Sequence, residues 1–246
     1  MSNITTAATH TGRTTRSRRV GQALALFVAP WCFVVANLGD ALTSPNGLDD
    51  TTSRGALEIS ATHPLADKWL TFAAMLGCLL LIPAVLGAMS LVRVGAARLG
   101  LIGGVLMIAG YVCYFGMLFQ GFATIALAEH GGVTADHVAV LDLTINQPFF
   151  IAVALTFVLG NIVGTFLLGL ALVRSRAVPR WAGLAVIAWP VLHILGGSWG
   201  EVLGAALQAV GFAVVGHRLL RADAAGSGTS SATAPEASVA PPLAAP

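Results

Sequence analysis

Apolar residues along this chain gather into six long runs, at roughly 20–42, 68–92, 99–127, 148–173, 181–197 and 199–220. Charges, prolines and small polar residues fill the gaps between them. A helix needs about 20 mostly apolar residues to cross the hydrocarbon core of a bilayer, so each run is read as one crossing. The expected fold is an all-α membrane protein with six transmembrane helices, occupying residues 18–221. The first run follows Arg13, Arg16, Arg18 and Arg19, as the core of a signal peptide would. It continues to Leu42 without a small-x-small cleavage site, and five further runs follow, which favours a retained signal-anchor.

The gaps carry their own punctuation. Residues 1–17, rich in Thr, Ser and Arg, and 222–246, rich in Ala, Ser, Gly and Pro, bury too little apolar surface to fold alone. Both are expected to be disordered tails. Ser53 is expected to cap a short helix through about Ala61, and Pro64 to open the second span, where its missing N–H costs nothing. Thr134 is expected to cap a helix bearing Val138 and Leu141, and Pro148 to open the fourth span. These two short helices are placed along the outer interface.

The parallel goes further. His63-Pro64, Leu76-Gly77, Leu86-Gly87, Leu91-Val92-Arg93 and Arg98 recur in outline as Gln147-Pro148, Leu159-Gly160, Leu168-Gly169, Leu172-Val173-Arg174 and Arg180. The pattern fits a tandem duplication of helical hairpins, spans two–three and four–five, in the same orientation. Chance matches among Leu, Gly and Ala also arise in ordinary membrane helices.

Composition agrees with the pattern: 56% of residues are hydrophobic and 10% are charged. A soluble domain carries about 25% charged residues, so lipid must solvate most of this surface. The net charge of +2 gives no reason to expect nucleic acid as a partner. The placement of charge is more telling. With the N-terminus inside, every Lys and Arg except Arg54 and Lys68 falls at a cytoplasmic end. Asp40, Asp49, Asp50, Glu58, Asp67, Glu129, Asp136, Asp142 and Glu201 fall at the opposite ends. The positive-inside rule then predicts a cell-membrane protein with both termini cytoplasmic.

Candidate chemistry is sparse. Cys32, Cys78 and Cys113 lie inside apolar runs without CxxC spacing, so neither a disulfide framework nor a zinc site is expected. Gly196-Gly197-Ser198-Trp199-Gly200 matches G-x-S-x-G but lies between two helices, where a nucleophile elbow has no strand to rise from. Asn161 with Thr165, and Gln120 with Thr124, sit mid-span one turn apart and should bond across helices. The five tryptophans read mostly as an aromatic belt near span ends. The cytoplasmic arginines set the topology and could also hold anionic head groups. One constellation stands out. His193 and Glu201 lie at matched distances from the turn between spans five and six, and a tight hairpin would set them side by side. Asn37, Asp40 and Gln208 are the further expected members of that polar cluster, with a surface-reaching Glu201 and one structural His193 bond as the competing reading.

The segments ATHPLADKWLTFAAMLGCLLLIPAVLG and LGLALVRSRAVPRWAGLAVIAWPVLHILGG resemble those of uncharacterised six-span membrane proteins of high-GC bacteria. That resemblance implies fold and location and carries no activity. Three functional classes remain open: a non-catalytic accessory, immunity or regulatory membrane component with a membrane-protein partner; a small transporter or lipid-handling permease; and a membrane-embedded enzyme or metal/haem protein using His193 and Glu201. No catalytic set, metal or cofactor is assigned, and the lipid bilayer is the one partner the sequence requires.

Overall fold

In the computed structural model the backbone is described over residues 4–43 and 52–228, and side chains over 16–43 and 52–222. The described residues form helices and no strands: α1 (Ile4–Thr43), α2 (Ser53–Thr62), α3 (Pro64–Leu91), α4 (Ala97–Gly131), α5 (Ala135–Ile145), α6 (Pro148–Leu159), α7 (Thr165–Ser175), α8 (Arg180–Leu195) and α9 (Gly197–Gly228). A 3₁₀ turn, Val94–Ala96, joins α3 to α4. A π-helical turn, Gly160–Gly164, joins α6 and α7 into one continuous helix. Helical backbone in α1 reaches back to Ile4, through the stretch expected as a tail, where no proline interrupts it. Most of the other expected tail, 222–246, lies outside the described residues.

Among the described residues, five helices are long and apolar enough to cross a membrane: Arg16–Thr43, Pro64–Leu91, Val94–Gly131, Pro148–Ser175 and Gly197–Ala222. The chain is therefore an all-helical, multi-pass membrane protein. The fifth apolar run becomes α8, which has only 16 residues. Pro179 fixes its start, and Gly196 with the left-handed Gly197 (φ 56°) ends it.

The spanning helices and α8 follow one another around a ring. α1 packs on α3, α3 on α4, α4 on the α6–α7 helix, α7 on α8 and α8 on α9, and α9 closes back onto α1. Leu26, Leu81, Met107, Leu168, Leu172 and Phe212 fill its centre, all fully buried. Lipid is as apolar as these side chains, so close approach of backbones, rather than hydrophobic burial, must hold such helices together. Glycine provides that approach. A Cβ on Gly103 would lie 2.5 Å from Leu168 N, one on Gly164 2.6 Å from Met107 N, and one on Gly110 2.8 Å from Gly160 Cα. The α4 backbone thus lies directly on that of the α6–α7 helix.

The ring has two chemically distinct ends. Arg93, Ala177, Arg218 and Arg221 surround one cavity at the basic end. Asp40, Ser60, Asp67 and Thr124 line another at the acidic end. There α2 packs on both α4 and α5, and Leu57, Ala128 and Leu141 form one buried cluster. Thr134 caps α5, its side chain accepting from the His137 N–H at 3.2 Å. In α2 the cap is Thr52, accepting from Gly55 N–H at 3.1 Å, rather than the expected Ser53. A capping residue is extended and accepts from an N–H two or three positions on; Thr52 (φ −99°, ψ 143°) meets both conditions, whereas Ser53 is already helical. Thr52→Ala should cost α2 about 1 kcal/mol, read as faster amide exchange over residues 54–56. Ser53→Ala should leave those amides unchanged, and equal effects would reassign the cap.

Candidate functional site

The turn Gly196–Gly200 is tight because glycine replaces side chains at both helix ends. A Cβ on Gly196 would lie 2.6 Å from Gly200 Cα, and one on Gly204 3.2 Å from both Trp189 Cα and Leu192 Cβ. α8 and α9 therefore run antiparallel in close contact, and residues equally far from the turn share a level. His193 Nδ1 lies 3.2 Å from Glu201 Oε1. The distance suits an ion pair, but the alignment is not that of a hydrogen bond, and Nδ1 has no hydrogen-bond partner among the described residues. Both side chains are about one-third exposed, at 36% and 34%.

Inward of the pair the space is filled by aromatic and amide groups. Trp189, one turn before His193, places its ring 5.1 Å from the imidazole. Its Nε1–H donates to Asn161 Oδ1 at 2.9 Å. The Tyr111 hydroxyl donates to the same oxygen, also at 2.9 Å. Trp189, Asn161 and Tyr111 are all buried. Asn161 stands in the π turn, and Gly160, Asn161 and Gly164 are all buried there. A π turn adds one residue to the helical ladder, a device frequent at functional sites. Here it aims an amide at α4 and α8 where Gly160 and Gly164 lie against α4. Tyr111 meets Phe33 of α1 at 5.1 Å, and Tyr114 stacks on Phe157 at 4.3 Å. A continuous file thus runs from Glu201 through His193, Trp189 and Asn161 to Tyr111, crossing α9, α8, α7's π junction and α4.

The other expected members are distributed differently. Gln208 follows Glu201 and Gly204 on the α9 face turned to α8; it is buried, and its Nε2 lacks a hydrogen-bond partner among the described residues. Gly216 lies against Ala23 and Leu26, where α9 packs on α1, the helix that carries Asn37. Asn37 Nδ2 is likewise without a hydrogen-bond partner. Asp40 instead lines the acidic-end cavity of about 160 Å³ with Ala56, Ile59, Ser60, Asp67, Gly121 and Thr124. Asn161 does bond across helices, but Thr124 folds back onto the Gln120 carbonyl of its own helix.

Two features lay outside the sequence reading: the double acceptor role of Asn161, and the burial of Trp189, which belongs to the core rather than to a belt. A signal existed for each. Trp189 stands one turn from His193, and Asn161 is the polar residue inside Gly160–Gly164. Among the described residues no three His, Cys, Asp or Glu side chains converge as metal ligands would. No protein-family model matches the chain, and no curated protein or solved structure matches it.

Proposed function

We propose that the chain is a six-span protein of the cell membrane, with both termini cytoplasmic, acting as a non-catalytic regulatory or accessory component through the His193–Glu201 pair. The observation that carries this reading is the file of contacts inward from the pair. Trp189 lies against the imidazole, with ring centroids 5.1 Å apart, and its Nε1–H donates to Asn161 Oδ1 at 2.9 Å inside the π turn. A change of charge or partner at the rim therefore acts on helix packing rather than on a bound molecule. A regulatory element needs that coupling; an enzyme would need room beside its reactive groups.

The six-span topology draws support from the two ends. Ala177, just before α8, shares the basic-end cavity with Arg93 and Arg218, while α8 finishes at the opposite end beside Glu201. A sixth crossing by α8 accords with both placements, and the arginines gather where the positive-inside rule puts cytoplasm. Duplicated hairpins belong to the same proposal. Each begins with a threonine-capped short helix and a span opened by proline, at Thr52 and Pro64, then Thr134 and Pro148. Gly77 and Gly160 each face the preceding span, although Gly87 meets α1 where Gly169 meets α8.

One experiment separates the parts. Reporter fusions after Asp49 and Ala135 should read outside, and those after Gly95, Ser175 and Ala224 cytoplasm. His193→Ala and Glu201→Gln should keep that topology and lose no more than about 1 kcal/mol of stability, the usual value of an exposed pair. Both should abolish the phenotype that the intact gene restores to a deletion strain. A cytoplasmic signal at Ala135 would overturn the topology alone; full complementation by both variants would overturn the regulatory reading alone.

A further inference from the structure

We infer that the basic end carries a binding site for a phosphate-bearing anion, formed by Arg93, Arg218 and Arg221. Three arginines from two separate parts of the chain line one cavity of about 340 Å³, together with Leu91, Ala177 and Ala222. The fold brings them there for identifiable reasons. Gly87 of α3 lies against Leu219 of α9, so the ends of the two helices run side by side. Arg93 stands just past the end of α3, in extended backbone (φ −73°, ψ 161°), clear of the helix. Arg218 and Arg221 are three residues apart and share a face of α9.

The charge balance points to a ligand. None of the three arginines has an ion pair or hydrogen bond among the described residues. The two cations of the acidic end, by contrast, are both matched: Lys68 lies 2.6 Å from Glu129, and Arg54 3.7 Å from Glu58. Three like charges around one cavity repel one another, and a bound anion removes that repulsion. The planar fork of arginine fits phosphate oxygens two at a time, and basic pockets between membrane helices bind lipid phosphates in this way. The Leu91 and Ala177 walls suit the glycerol and first methylenes of a phospholipid, while the three arginines alone would hold free phosphate. The inference stands apart from the His193–Glu201 reading, which lies at the other end of the ring.

The test is native mass spectrometry of the full chain in phosphatidylcholine nanodiscs, titrated with phosphatidylglycerol in one arm and inorganic phosphate in the other. Each arginine near a phosphate contributes about fivefold, so Arg93→Gln/Arg218→Gln/Arg221→Gln should weaken binding on the order of a hundredfold. The single variant Arg218→Gln, at an exposed position, should weaken it about fivefold. A control of equal charge, Arg16→Gln/Arg18→Gln/Arg98→Gln, should change it little. Binding of phosphatidylglycerol undisturbed by phosphate assigns a lipid head group; displacement by phosphate assigns a soluble anion, and both support the site. Unchanged binding in the triple variant, or equal loss in the control, would overturn it, as would no binding in either arm.

Discussion

Gly160→Ala is expected to destabilise the protein by about 3 kcal/mol, the upper range for forcing atoms into a packed core. The new methyl would collide with the backbone of Leu106 and Gly110. Backbone cannot rotate away as a flexible side chain can, so α4 and the α6–α7 helix must part along their whole contact. Gly116→Ala is the matched comparison, because nothing lies within 4 Å of its would-be Cβ. In the middle of α4 that change should be neutral or stabilise by about 0.5–1 kcal/mol, through helix propensity. Thermal melts of both variants in detergent decide the matter. Shifts of the same sign would mean that α4 does not touch the α6–α7 helix at Gly160.

Asn161→Leu should cost about 2–3 kcal/mol, although interhelical hydrogen bonds in membranes are mostly worth well under 1 kcal/mol each. The difference lies in what is left behind. Asn161 Oδ1 accepts from both Tyr111 and Trp189, so its loss strands two buried donors, each costing about 1–3 kcal/mol when unpartnered. Partial rearrangement brings the sum to the lower figure. Tyr111→Phe strands no donor and should cost about 1 kcal/mol or less. In the Tyr111→Phe background, Asn161→Leu should therefore cost less than it does alone. Additive effects in that double-mutant cycle would show the two groups to be uncoupled.

Much of this architecture is written plainly in the chain, because apolar length is a one-dimensional signal. All six runs appear as helices, with Pro64 and Pro148 opening two of them. The proximity of His193 and Glu201 follows from counting residues out from a tight turn, since equal distance sets equal depth in an antiparallel pair. Counting gives depth but no direction around the helix, and so Asp40 turns out to face α2, α3 and α4. Thr52 and Ser53 are adjacent hydroxyls that local sequence hardly distinguishes. The positions of Asn161 and Trp189 carry a signal, but the partners of Asn161 do not: Tyr111 and Trp189 lie 50 and 28 residues away, their meeting depends on the ring order, and the π turn shifts the helical period by one residue.

The brevity of α8 bears on the lipid itself. Sixteen residues at 1.5 Å each reach about 24 Å, against a hydrocarbon thickness of about 30 Å. Its neighbours are not short: Pro148–Ser175 on one flank has 28 residues and Gly197–Ala222 on the other has 26. If α8 makes the proposed sixth crossing, acyl chains beside it would compress by several ångströms on one side of the protein while staying relaxed on the other. Such a lopsided dent would draw head groups and water down toward Glu201 and His193. It would also make the protein's free energy depend on bilayer thickness, so that thinner membranes accommodate it at lower cost.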